Sequence, residues 1–245
     1  YMFGGTVSVP IVVRSVIGKS WGQGAQHSQG LQSYFMHVPG LKVVAPATPY
    51  DAKGTLVQSI RDNDPVVFVE HRMIHFQSGH VPEELYAAPF GKARVLEQGT
   101  DITLVGISYM AIECLRAKSL LKEVGINAEV IDPVTLSPLD MDTITKSARK
   151  SGHLLVVDCA WTNCGASAEI AVQAAEQVDG LGGNRLRRMG FAPVTCPTTK
   201  NLENLFYPTP DTIASTAYSM IYPNSKPWTP PHIDSPEILE FKGPF

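Results

Sequence analysis

Leu41-Lys42-Val43-Val44-Ala45-Pro46, Thr48-Pro49-Tyr50-Asp51 and Val66-Val67-Phe68-Val69 decide the fold. The first and last are short apolar runs rich in β-branched residues, as buried strands are. Between them Thr48 suits an N-cap, Pro49 the first helical position and Asp51 the positive end of a helix dipole. The helix so opened runs to about Arg61, with Ala52, Leu56 and Ile60 spaced to share one face. Val9-Pro10-Ile11-Val12-Val13-Arg14 adds a strand upstream. Strand, helix, strand with continuously apolar strands predicts a parallel sheet covered on both faces.

Residues 72–91 break this rhythm with scattered His, Gly and Pro, and read as a crossing segment between domains. A second alternation follows. Strands are expected at 102–107, 128–132, 154–158 and 185–190, and helices at 110–123, 139–150, 165–178 and 209–221. After Ile221 the chain turns proline-rich, but Trp228, Ile233, Ile238, Leu239 and Phe241 are interleaved. So many large apolar groups favour an extended arm lying on a neighbouring surface over a frayed tail.

The 245 residues are 44% hydrophobic and 18% charged with a net charge of −3, an ordinary globular composition. No basic face is indicated, so a nucleic-acid partner is not expected. No apolar run reaches membrane-spanning length, so insertion into a membrane is not expected. Cys114, Cys159, Cys164 and Cys196 match neither a disulfide framework nor a zinc site and read as free thiols. The chain begins Tyr1-Met2-Phe3-Gly4-Gly5 rather than with methionine, and so reads as a piece of something longer.

Gly22-Gln23-Gly24-Ala25-Gln26-His27-Ser28-Gln29-Gly30 holds the leading candidate for chemistry. It places His27 between a glycine-rich loop and a helix carried by Leu31 to Val38 and stopped by Pro39-Gly40. An imidazole there can exchange protons near neutral pH, and glycines 22, 24 and 30 let backbone and ligand approach closely. From the loop alone, capping or packing of the helix explains His27 equally well. His71 and His75 flank Met73, but without an obvious third ligand they read as structural. Asp62, Asp64 and Pro65 end the helix that starts at Pro49; a hard cation or a solvated turn both fit, and the segment by itself favours the turn. Gly106-Ile107-Ser108-Tyr109 and Gly180-Leu181-Gly182-Gly183 lack the spacing and context of a dinucleotide fingerprint, so a tight turn is the reading at Gly106.

Several of these segments occur together, in this order, in one known family. They are Tyr1-Met2-Phe3-Gly4-Gly5, Val9–Arg14, Ala25-Gln26-His27-Ser28-Gln29, His37–Val44, Pro49-Tyr50-Asp51-Ala52-Lys53-Gly54 and Ile60–Val66, continued by Gly165–Ile170 and Leu202-Glu203-Asn204. From Tyr1 to about Ile221 the chain resembles the beta subunit of the thiamine-diphosphate-dependent decarboxylase of 2-oxoacid dehydrogenase complexes. Pyruvate, branched-chain and acetoin dehydrogenases belong there, within the transketolase superfamily.

The resemblance implies an α/β fold with part of a pyrimidine-binding domain at 1–75 and a transketolase C-terminal-like domain at 92–222; a crossing segment at 76–91 lies between them, and the proline-rich arm at 223–245 is extra to the family pattern. It implies thiamine diphosphate as cofactor, with magnesium held by an alpha subunit, and a heterotetramer of two alpha and two beta chains. Further expected partners are a lipoyl acyltransferase and a small 2-oxoacid. The compartment would be the cytoplasm, or the mitochondrial matrix in a eukaryote. His27 matches the family histidine beside the thiazolium ring. Ile11, Ser59, Asp62 and Asp64 match a potassium site built largely from backbone oxygens. The glutamate that protonates the pyrimidine, and the residues that grip that ring, match no position here and are expected upstream of Tyr1. On that reading this stretch does not activate the cofactor by itself. Two other readings stand beside the enzyme subunit: a split transketolase-like ketol transferase, which sugar-phosphate donors would reveal, and a non-catalytic assembly module, which would be indifferent to loss of His27.

Overall fold

The computed structural model describes residues 4–19, 22–233, 236 and 237, and two sheets carry the fold. Tyr1-Met2-Phe3 of the opening motif, and Ile238, Leu239 and Phe241 of the arm, lie outside the described residues. In the first sheet, β1 (Val12–Ile17), β3 (Val66–His71) and β2 (Lys42–Val44) run parallel in that spatial order. The helix α3 (Pro49–Arg61) crosses from β2 to β3, with the Thr48 side chain accepting from the Asp51 N–H as expected of a cap. β1 forms one edge, where Val13 and Val16 are each 50% exposed.

The other edge was not foreseen. β7 (Thr135–Ser137) comes from beyond the crossing segment and pairs antiparallel with β2, placing Val43 opposite Ser137. Ala45 N–H donates to the Val134 carbonyl at 2.8 Å, and Ser137 Oγ to the Leu41 carbonyl at 3.0 Å. A three-residue strand has no periodicity to read, and distant pairing creates it.

The second sheet has the order β4 (Arg94–Glu97), β6 (Ala128–Asp132), β5 (Ile102–Gly106), β8 (Leu154–Trp161) and β9 (Leu186–Phe191). All neighbours are parallel except β4 with β6. Helices α4 (Tyr109–Glu123), α5 (Met141–Ser151), α6 (Ala166–Gln177) and α8 (Pro210–Ile221) follow the expected positions, and a single turn, α7 (Lys200–Glu203), precedes α8. α4 packs on α8, and one core cluster runs from Val43, Val67 and Met73 through Leu104, Val156 and Ile213. The tight turn at Gly106 is present: Met110 and Ala111 backbone atoms crowd the place a Cβ would take. All four cysteines are free, with Cys164 the exposed one.

The expected face of α3 is corrected. Ala52 and Leu56 are half-buried and Ile60 is 68% exposed, whereas Asp51, Gly54, Thr55 and Ser59 are buried. That polar face satisfies itself: Thr55 Oγ1 donates to the Asp51 carbonyl at 2.6 Å and Ser59 Oγ to the Thr55 carbonyl at 2.7 Å. Arg94 Nε meets both Asp51 carboxylate oxygens at 2.7 Å, with its guanidinium 4.3 Å from the Tyr50 ring. The crossing segment runs along the same helix, stacking Tyr86 on Tyr50 at 4.6 Å.

The arm returns onto its own chain. Trp228 lies 5.4 Å from Tyr218, its carbonyl accepts from Ser215 Oγ at 2.9 Å, Pro230 is buried and Ile233 packs against the core. Arg94→Ala strands a buried carboxylate, although Arg94 itself is partly solvated. It is expected to lower unfolding free energy by about 1–2 kcal/mol. Ile60→Ala should change it by less than about 0.5 kcal/mol. Urea denaturation of both variants checks the pair, and the reverse ranking would return Ile60 to the core.

Candidate active site

His27 is exposed and is the last residue of a single-turn helix, α1 (Gly24–His27). A second short helix, α2 (Gln32–Met36), follows after a break at Ser28–Leu31. His27 lies between the glycine-rich loop and a helix as expected, but on a turn of its own, and α2 is shorter than the run from Leu31 to Val38. The break falls where Gly30 presses on the Cys159 carbonyl; a Cβ there would lie 2.1 Å from that oxygen. The chain cannot keep helical geometry while lying that close to β8.

The glycines serve the protein's own packing. Gly22 N–H donates to Glu203 Oε2 at 3.0 Å, and Gly24, at φ +66°, sits against the Thr198 side chain. Gly18 N–H donates to the Gln29 carbonyl at 2.9 Å and Gln29 Nε2 to the Ala25 carbonyl at 2.9 Å. Arg72 Nη1 donates to Gln23 Oε1 and reaches the His27 carbonyl at 3.4 Å. These ties hold the loop from both sheets and leave the imidazole facing out. Arg72 carried no role in the sequence reading, and Glu203 entered it only within the Leu202-Glu203-Asn204 motif, because single residues at the ends of short turns have no pattern to betray such contacts.

Beneath the loop lies a buried polar cluster. The His71 ring nitrogens are 3.1 and 3.2 Å from the backbone nitrogens of Lys19 and Met73, and the ring stacks on Tyr109 at 4.8 Å. Burial, followed by the charges of Lys19 and Arg72, pushes His71 well below its ordinary pKa, so it is neutral. His75 is exposed, and His71 takes the structural role expected for it. Burial also lowers the Lys19 ammonium, which sits 5.3 Å from the Tyr207 ring.

Ile11, Ser59, Asp62 and Asp64 converge at the end of α3. Val66 N–H donates to the Ile11 carbonyl at 3.0 Å, Val9 N–H to the Asn63 carbonyl at 3.1 Å, and Asp62 N–H to the Ser59 carbonyl at 3.4 Å. The carboxylates are already committed: Lys42 Nζ lies 2.6 Å from Asp62 Oδ1 and 3.1 Å from Asp64 Oδ2. Burial raises the Asp62 carboxyl, but Lys42 and the Asp64 N–H together hold it below its ordinary value. Among the described residues no group of three or more His, Cys, Asp or Glu could hold a metal ion.

An open cleft of about 1070 Å³ lies beside α2, walled by Tyr34, Met36, His37, Leu139, Trp161 and Glu169. His27 stands outside its lining. Asp158 is fully buried near the N-terminus of α6, accepting from Ser167 N–H at 3.1 Å and from Gln32 Nε2 at 2.8 Å. Burial pushes Asp158 from 3.8 up to about 6, against those two donors. The native state thus binds more protons than the unfolded chain across that window. Stability from this group is whole below its unfolded pKa and is lost as pH rises through its native one. Asp158→Asn is expected to flatten that fall, which is on the order of 2–3 kcal/mol. Its oxygen can still accept from Ser167, and its amide can donate to Gln32 Oε1, a buried atom without a hydrogen-bond partner among the described residues. Denaturation curves at stepped pH measure the slope; the same slope in the variant would clear Asp158 of responsibility.

The transketolase pyrimidine binding domain family matches residues 1–75 and the transketolase C-terminal domain family residues 91–213. The chain is 43% identical over 217 residues to the acetoin:2,6-dichlorophenolindophenol oxidoreductase subunit beta of Cupriavidus necator, covering 89% of this chain and 64% of that one. The Bacillus subtilis protein of the same name is 41% identical over 221 residues, 90% of this chain and 65% of its own length. The pyruvate dehydrogenase E1 component subunit beta of Rickettsia felis is 36% identical over 222 residues, 91% of this chain and 68% of its own. The chain thus spans somewhat less than two thirds of the first two relatives. A solved structure titled split gene transketolase, inactive beta4 tetramer, superposes with a TM-score of 0.72 at 18% identity over 90% of this chain and 70% of that one, a likeness of fold. The two domain matches, in order and over the two sheets, and the identity to subunits of this type establish that the chain belongs to the transketolase-like family of E1 beta subunits.

Proposed function

We propose that the chain is the beta subunit of a thiamine-diphosphate-dependent 2-oxoacid dehydrogenase, with His27 facing the cofactor across a cleft shared with an alpha subunit. The observation that carries this reading is an exposed imidazole on a loop tied down by both sheets. Thiamine diphosphate supplies the carbanion chemistry that releases carbon dioxide from a 2-oxoacid. The residues present fit one wall of its site. His27 is placed to hold or move a proton at the oxygen of the reacting carbon, while the ties from Arg72, Gly22 and Gln29 limit the loop's sway. Magnesium and the diphosphate are assigned to the alpha subunit, as the family resemblance implies. The sequence similarity to acetoin oxidoreductase subunits makes acetoin a second substrate to test beside pyruvate.

The test is dichlorophenolindophenol reduction by the complete beta chain with its alpha subunit, thiamine diphosphate and magnesium, given pyruvate or acetoin. Turnover of one of the two is expected, and His27→Ala should lower kcat by ~10²-fold while leaving stability within about 0.5 kcal/mol, since the ring is exposed. Undiminished turnover in that variant would overturn the role of His27. No turnover of either compound, with sugar phosphates accepted instead, would favour a ketol transferase.

The potassium site is assigned to the carbonyl oxygens of Ile11, Ser59, Asp62 and Asp64. One ammonium against two carboxylates leaves a negative charge in that corner, which a monovalent cation offsets. Potassium chloride should raise Tm by a few degrees over N-methylglucamine chloride at equal ionic strength, through binding to the folded state alone. Equal Tm values in the two salts would remove the site.

A further inference from the structure

The arm ends, among the described residues, in a buried acid that the family match does not reach: the matched C-terminal domain stops at residue 213. Glu237 is buried. Arg116 Nη2 of α4 lies 2.7 Å from its Oε1 and 3.0 Å from its Oε2, and Gln77 Nε2 donates to Oε1 at 2.9 Å. Arg116 belongs to a helix of the second sheet, and Gln77 to the chain that leaves β3 of the first. One carboxylate therefore bridges the two halves of the molecule.

Both bridge partners lead to the His27 loop. Gln77 N–H donates to the Ile74 carbonyl at 3.2 Å, closing the short turn whose Arg72 holds Gln23 and the His27 carbonyl. Arg116 Nη1 donates to Tyr109 Oη at 3.2 Å and to Glu113, and Tyr109 stacks on His71. His71 in turn fills the space above Gly18, where a Cβ would lie 1.9 Å from its Nε2, and the Gly18 N–H holds Gln29. Charge points the same way. Lys19, Arg72 and Arg116 stand with Glu113, Glu203 and Glu237 around this buried region. Without Glu237 three cations would face two carboxylates in a place with little water to screen them.

We propose that the C-terminal arm is a strap, and that Glu237, seated between Arg116 and Gln77, is a positioning residue for the loop that presents His27. The strap is a property of the folded chain; its effect on turnover rests on the enzymatic reading above. The arm's apolar contacts with α8 bring Glu237 to its seat, and the seat joins the arm to both sheets.

Hydrogen exchange of the full chain tests the strap, with Glu237→Ala and the isosteric Glu237→Gln. In Glu237→Ala, amides of residues 22–32 are expected to exchange ~10-fold faster, while those of β5 and β8 keep their wild-type rates. Glu237→Gln, which keeps the shape and the Gln77 contact, should recover part of that protection. In the complex with an alpha subunit the same order should appear in kcat, with KM moved less than about twofold. Unchanged exchange in 22–32 overturns the proposal, and so does equal acceleration in β5, β8 and the loop in both variants, which marks global destabilisation. If the wild-type complex itself turns nothing over, the enzymatic reading fails, and exchange still decides whether the arm straps the loop.

Discussion

A carboxylate cut off from water has to be met by donors, and Asp158 meets two that belong to different parts of the chain. One is the Ser167 N–H at the head of α6, and the other is the amide of Gln32, which opens α2. The segment after β1 is thereby fixed to the second sheet as well as to its own. Gly30 against the Cys159 carbonyl and Gly22 on Glu203 repeat the arrangement on either side of His27. A loop of this length makes few ladder bonds, so its backbone donors must be satisfied elsewhere, and for Gly22 the C-terminal half supplies the acceptor, Glu203. That half thus shapes the candidate site.

Much of the fold was legible because its elements carry local signals. The apolar runs at 102–107, 128–132 and 154–158 became β5, β6 and β8, and the cap at Thr48 with Pro49 placed the start of α3. What escaped reading depends on residues far apart in sequence. β4 and β7 are short and exist through their partners Asp132, Ile131 and Val43. The face of α3 was misjudged because apolar spacing was weighed above Asp51, Thr55 and Ser59, whose burial needs Arg94 and back-bonding within the helix. His27 was visible in its loop. The use of the glycines around it was not, since Thr198 and Cys159 lie more than a hundred residues downstream.

Polar burial gives this molecule its specificity. The apolar core would tolerate many arrangements of two α/β layers, but Asp51 with Arg94, Asp158 with Gln32, and Glu237 with Arg116 and Gln77 accept one register each. Such pairs add little net stability compared with apolar packing of the same volume, yet misplacing one partner is costly. They join segments on opposite sides of the crossing segment or of the arm, where an error in assembly would otherwise go unopposed.

The outer side of β1 has a consequence for handling the protein. Val13 and Val16 stand in solvent on a strand bonded along one flank alone among the described residues, so its amides and carbonyls on the other flank invite any extended peptide. Expressed by itself, this polypeptide carries an adhesive seam, and concentrated solutions are apt to knit together along it. A companion strand laid there, whether from the same chain or another, would act as a solubility tag as much as a piece of architecture.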